Sequence, residues 1–317
     1  MIIPPKLHRG DPVRVIAPSG PFDPAIFEKG LHVLSERLGL VPRMRADVTA
    51  RRGYLAGEDA RRAEEWREAV ADPEARAIFC ARGGYGAMRI LPAIDPARLA
   101  DSPKLLVGFS DVTALHAVLN RGGVATVHGP VVTQLGRAPD DALRHLEALL
   151  FETPPHPGAW GAPAPGAGLV AERTVRPGRA SGPLLGGTLT ILAHLAGTPY
   201  APQLDGAILL LEDVGEKPYR IDRCLTQLAL SGALAGVAGV VIGRFTACDD
   251  GGLLAADVVR ETIQALGVPA VEGLPVGHED ANFAVPLGVP ATLVAPGPGE
   301  VGPPRLLFDG WTSRAGG

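Results

Sequence analysis

Ser110 in "LLVGFSDVTALH", Glu212 in "ILLLEDVGEKPYRIDR", His278 in "LPVGHEDANF" and the glycines of "ARGGYGAM" all lie on loops after apolar runs that read as strands. Open α/β sheets place ligands at such strand ends. A serine, a histidine and a carboxylate are the parts of a nucleophile, a base and the group that orients the base. Glycines at 83, 84 and 86 let backbone approach a ligand closely and present N–H donors to developing negative charge. Together these parts would do acyl transfer. The chain order Ser, Glu, His is one of several that produce this geometry.

Each part also has a plainer assignment. Ser110 or Asp111 stands where a helix cap is expected, and on local grounds the cap is favoured. "GFSDV" has the first glycine of a serine-hydrolase elbow but Val112 where the second would stand. Glu212 and Asp213 could pair with Arg220 or Arg223, while Glu216 lies further into the loop, in solvent. The glycine loop is not GxGxxG and lacks the Lys and Ser/Thr of a P-loop, so nucleotide binding is weakly supported. His8, His32, His145 and His156 fall in polar surface or linker contexts, His116 and His194 are expected to be packed inside helices, and His128 is on a turn that could lie near the site. His278, Glu279 and Asp280 are adjacent, point in different directions and have no HExxH spacing, which argues against a metal.

These residues need a scaffold. From the start, strand and helix alternate: "VRVIAP" then 25–37, "ARAIFCA" then 87–91, "LLVGFS" then 111–120. "RRAEEWREAVADPEA" adds a helix with Ala63, Trp66, Ala69 and Val70 on its apolar stripe. Strands apolar on both faces predict an N-terminal parallel-sheet α/β layer domain over 1–151. The Pro/Gly/Ala-rich "ETPPHPGAWGAPAPGAG" predicts a linker over 152–168. Beyond it, over 169–317, short strands "AILLLED", "GVVIGRF", "ATLVAP" and "RLLFDG" with helices "GGTLTILAHLAG" and "RIDRCLTQLALSG" predict an α+β domain with a mixed or barrel-like sheet. Residues 225–243 carry no charge, but four glycines break them into helix, turn and a strand ending at Gly243, not a membrane span.

Composition narrows the function classes. Apolar residues are 46% and charged ones 20%, the balance of a globular chain. A net charge of −4 without a basic stripe excludes nucleic acid as the expected partner. Pro4, Pro5, Lys6 and Arg9 occupy the place of a signal-peptide core, so a cytoplasmic protein is expected. Cys80, Cys224 and Cys248 form no CxxC, in keeping with a reducing compartment and buried thiols.

Taken in order, "VRVIAPSG", "ARGGYGAMRILPAID", "LLVGFSDVTALH", "HGP", "GGTLTILAHLAGTPY", "ILLLEDVGEKPYRIDRCLTQL", "VIGRF" and "LPVGHEDANFAVPLGVPATL" make the chain resemble the LD-carboxypeptidase family of serine peptidases, which includes the microcin C immunity peptidases. The resemblance spans nearly the whole chain. It implies Ser110 as nucleophile, His278 as general base and Glu212 as the carboxylate orienting the imidazole. It implies an oxyanion hole from the Asp111 N–H and one N–H of the glycine loop, Gly84 or, as near alternative, Gly83. The serine would belong to the N-terminal domain, the glutamate and histidine to the C-terminal one, with the site formed at their interface. The implied reaction removes the terminal D-alanine of a muropeptide tetrapeptide, cutting after an L-configured centre, in cytoplasmic peptidoglycan recycling. No cofactor or metal is implied; the partners are a small peptide substrate and a second copy in a homodimer, with no membrane. The nearest rival is cleavage of an aminoacyl-nucleotide toxin, which the shorter chain and the intact "GGYG" and "NFAVPLGVPATL" disfavour. A rival from another class, a non-catalytic binder of cell-wall peptides, predicts that Ser110→Ala leaves all function intact.

Overall fold

The computed structural model describes residues 1–152, 168–309 and 311. The described chain divides into two units: 1–152 and 280–286 belong to the first, and 168–279, 287–309 and 311 to the second. Most of the expected linker, 153–167, lies outside the described residues.

The first unit is built on strands β1 (Pro12–Ile16), β2 (Val41–Arg43), β3 (Ala77–Cys80), β4 (Leu105–Gly108) and β5 (Thr126–His128). All pair in parallel, in the spatial order β2-β1-β3-β4-β5. Every residue of β3 and β4 is buried, as strands covered on both faces require. The order reverses between β1 and β3, so the loops after those two strands open a crevice at the carboxyl edge. Helix Asp59–Ala71 packs on β1, and helix Pro24–His32 runs on into a wider turn, Val33–Arg37, in place of one continuous helix.

A last strand of this sheet departs from the expected division of the chain. Val285–Leu287, the twelfth strand in chain order (β12), takes the edge next to β5, although 169–317 were expected to fold together. The preceding residues are held to the first unit by side chains: Asp280 pairs with Arg137 at 2.7 Å, Asn282 donates to Gln134 at 3.2 Å, and His145 Nε2–H donates to the Ala284 carbonyl at 2.8 Å. His145 is therefore buried, not on a polar surface, whereas His194, expected inside a packed helix, is exposed.

The second unit holds β6 (Leu169–Val170), β7 (Arg173–Arg176), β8 (Gly178–Thr188), β9 (Ile208–Val214), β10 (Gly239–Thr246), β11 (Ala270–Glu272), β13 (Pro290–Ala295) and β14 (Arg305–Phe308). Their order is β6-β14-β13-β8-β9-β10-β11-β7. The four central strands β8 to β11 are parallel and the flanking ones antiparallel, and the sheet curls so that β7 and β11 approach β13. Leu209, Leu211, Val240 and Ile242 alternate along β9 and β10 to pack against helices Leu189–Leu195, Pro218–Leu230 and Ala255–Ala265. Two boundaries differ from expectation. Gly186 to Thr188 belong to the long strand β8 and not to a helix, and β10 runs past Gly243 to Thr246 across a bulge. No helix among the described residues is long and apolar enough to cross a membrane.

Candidate active site

Sequence around Ser110 forces a sharp reversal. Buried β4 ends at Gly108, Ser110–Val112 form a 3-10 turn, and helix Thr113–Arg121 begins at once. Ser110 sits at φ +64°, the left-handed region, which costs a side-chain-bearing residue about 1–2 kcal/mol. Strain of this kind exposes a serine at the head of a strand-to-helix turn, as in hydrolase elbows. Ser110 is partly exposed between buried Phe109 and Asp111. Phe109 and Val112, which precede the turn and the helix, supply no side-chain capping bond. Asp111 turns its carboxylate to the neighbouring loop, where its Oδ2 accepts from the Ala87 N–H at 2.7 Å. Burial raises the Asp111 pKa, against the pull of Ser19, the Ala87 N–H and the Arg62 charge.

The glycine loop lies against this serine. A Cβ built on Gly83 would stand 2.8 Å from Ser110 Cβ and 3.0 Å from its Oγ, so the close approach requires glycine there. The Gly20 N–H, on the loop after β1, donates to the Gly83 carbonyl at 3.0 Å. Behind the loop, fully buried Arg62 donates to the carbonyls of Pro18 and Gly86, the latter at 2.7 Å, and pairs with Asp59. Arg62 thus ties the loops after β1 and β3 together. Its signal was present in the sequence: it stands one turn before Trp66 on the stripe that the helix buries, a place where a charge needs a reason.

The second unit brings Glu212 and His278 together. Glu212 lies near the end of β9, in register with Thr188 of β8, and is completely buried. Its Oε1 accepts from the Thr188 hydroxyl at 2.5 Å and its Oε2 meets His278 Nδ1 at 2.7 Å. The pairing with Arg220 or Arg223 is not formed; Arg220 reaches Glu216 at 3.5 Å instead. A carboxylate on Nδ1 holds the proton there and leaves Nε2 as the acceptor. Asp213, beside Glu212, is occupied by the Thr190 N–H and hydroxyl and by the Val214 N–H, and burial raises its pKa.

The His278 loop is aimed by the bulge in β10. There the Arg244 N–H donates to the Val276 carbonyl at 2.8 Å. Gly277 follows at φ +142°, and a Cβ on it would lie 3.2 Å from both Arg244 Cβ and Glu212 Oε2, so only glycine carries the chain from Val276 to His278. Thr188 escaped sequence reading because "GGTLT" looks like a helix start, and its hydroxyl finds Glu212 only across the β8–β9 pair. Ser110, Asp111, Gly83 and Gly84 are thus neighbours within the first unit, and Glu212 and His278 within the second.

Comparison with known proteins adds to this geometry. Residues 13–129 match the description "LD-carboxypeptidase N-terminal domain" and residues 181–293 "LD-carboxypeptidase C-terminal domain". The chain is 43% identical to a putative carboxypeptidase of Streptomyces coelicolor, over 93% of its own length and 94% of that protein's. It is 36% identical to the murein tetrapeptide carboxypeptidase of Pseudomonas aeruginosa, covering 89% and 92%. The crystal structure of muramoyltetrapeptide carboxypeptidase from Oxalobacter formigenes superposes with a TM-score of 0.79 at 30% identity, covering 94% of this chain and 99% of that one.

Proposed function

This chain belongs to the LD-carboxypeptidase family, and from that premise we propose that it is a serine-type carboxypeptidase that removes the terminal D-alanine from murein tetrapeptides. The observation that carries the reading is the 2.7 Å contact of His278 Nδ1 with buried Glu212, which readies Nε2 as a base. The relatives named for murein tetrapeptide and muramoyltetrapeptide cleavage support the substrate class.

In this reading Nε2 takes the Ser110 hydroxyl proton as Oγ bonds to the scissile carbonyl carbon. The carbonyl electron pair moves to oxygen, which is met by the N–H of Asp111 and that of Gly84 or Gly83. Each such donor contributes on the order of 100- to 1000-fold in rate. The C–N bond then breaks, and Nε2–H returns its proton to the departing amine of D-alanine. Water, deprotonated by Nε2, hydrolyses the ester and frees Ser110. The same reading makes the protein a cytoplasmic homodimer in wall-peptide recycling. Its three thiols, all free, agree with a reducing compartment.

Mass spectrometry of the purified protein with a tetrapeptide ending in D-alanine, alongside an aminoacyl sulfamoyl adenosine, tests the proposal. Loss of one alanine from the first supports it; cleavage of the second alone transfers the chain to the microcin-type reaction. Ser110→Ala is expected to lower kcat by roughly 10⁴- to 10⁶-fold with an unchanged melting curve. Undiminished turnover in that variant would refute the serine mechanism.

A further inference from the structure

We infer that Arg82 is the anchor for the substrate's terminal carboxylate, the contact that makes the enzyme an exopeptidase; this rests on the peptidase reading above. An enzyme that cuts off one C-terminal residue must hold a carboxylate within about one residue, some 3.8 Å between Cα atoms, of the bond it breaks. The cation that holds it therefore belongs on the segments that touch the nucleophile. Arg82 immediately precedes Gly83, whose Cα faces Ser110 Cβ and Oγ.

The Arg82 side chain is exposed, and its Nη1 donates to the carbonyl of Pro21. Pro21 follows Gly20, which is hydrogen-bonded to Gly83 and lies in contact with Gly84. The guanidinium is thereby laid across the loops after β1 and β3, at the point where strand order reverses and ligands bind such sheets. Its other donors face no carboxylate among the described residues. The neighbouring guanidinium groups are already committed: Arg61 to Glu65, Arg62 and Arg89 to Asp59. A planar fork steadied at one nitrogen and open at the others suits a carboxylate held by two parallel hydrogen bonds.

The test compares kcat/KM for a D-alanine-terminated tetrapeptide with that for the same peptide as its C-terminal amide, in wild type, Arg82→Gln and Arg82→Lys. Wild type is expected to prefer the acid by on the order of 10- to 100-fold, the worth of hydrogen bonds to a charged group. Arg82→Gln should bring that preference close to one, and Arg82→Lys should retain part of it. Because the preference is a ratio within one protein sample, partial unfolding of a variant does not disturb it. A wild-type preference surviving in Arg82→Gln overturns the inference, even if both rates fall, since Arg82 would then serve the fold or a carboxylate elsewhere in the substrate. A wild type that cleaves both peptides equally overturns it as well. A wild type that cleaves neither overturns the peptidase reading itself.

Discussion

In the first unit the candidate nucleophile is held by backbone: Ser110 at φ +64°, wedged against the Cα of Gly83, on a turn between a buried strand and a helix. In the second unit the candidate base and its partner are held by side-chain hydrogen bonds: Thr188 to Glu212 and Glu212 to His278. Backbone placement resists changes of polarity but has no room for a methyl group. Hydrogen-bonded placement tolerates small changes of volume but depends on which atoms donate. The two halves should therefore fail to different substitutions, and three measurements test that contrast.

The largest effect is expected from Glu212→Gln. The amide keeps the shape, yet its NH₂ meets either the Thr188 hydroxyl or the His278 ring, and the imidazole loses the partner that holds its proton on Nδ1. By analogy with loss of the carboxylate in serine-protease triads, kcat should fall roughly 10⁴-fold with secondary structure intact by circular dichroism. Steady-state kinetics within tenfold of wild type would show that the dyad is structural.

Gly83→Ala should cost less activity but more structure. Its Cβ would stand 2.8 Å from Ser110 Cβ, so the turn must shift, which lowers kcat/KM by about 100-fold. Overpacking should also cost about 1–3 kcal/mol in urea unfolding. A variant with wild-type stability and rate would mean that the elbow yields easily, and the contrast between the halves would collapse.

The smallest effect concerns stability alone, in the first unit. His116 is fully buried with its Nε2 at 2.8 Å from the Gly108 carbonyl, and burial together with neighbouring His128 pushes its pKa down to about 3. An unfolded histidine titrates near 6.5. Between these values the unfolded chain binds the extra proton, so this contribution is intact above pH 6.5 and is lost as pH falls toward 3. Between pH 7 and 5 it should amount to about 2 kcal/mol. Urea unfolding of wild type and His116→Gln at both pH values measures it; equal pH dependence in the two proteins would remove His116 as a source.

Much of this arrangement was legible before any coordinates. Apolar runs such as 105–108 and 208–211 are long enough to declare buried strands, and Ser110, Glu212 and His278 stand directly after apolar runs. Short segments were harder. Val285–Leu287 has three residues, and nothing local says that it completes the first sheet and not the second. His145 reads as a surface residue in "LRHLEALL" until Ala284 supplies its carbonyl partner from 139 positions away.

Local pattern by itself determined the alternation of strand and helix, the parallel first sheet and the strand-end serine, glutamate and histidine that are the candidates for acyl chemistry. Side-chain periodicity and strand-end glycines act within a few residues, so one chain carries that information. Only the tertiary structure decided that Asp111 serves Ala87 and not its own helix, that Arg62 joins two loops, and that a bulge in β10 turns His278 toward Glu212. Those contacts join residues 24 to 66 positions apart. They exist because buried polar groups must find partners wherever packing brings them, and spacing along the chain does not say where that is.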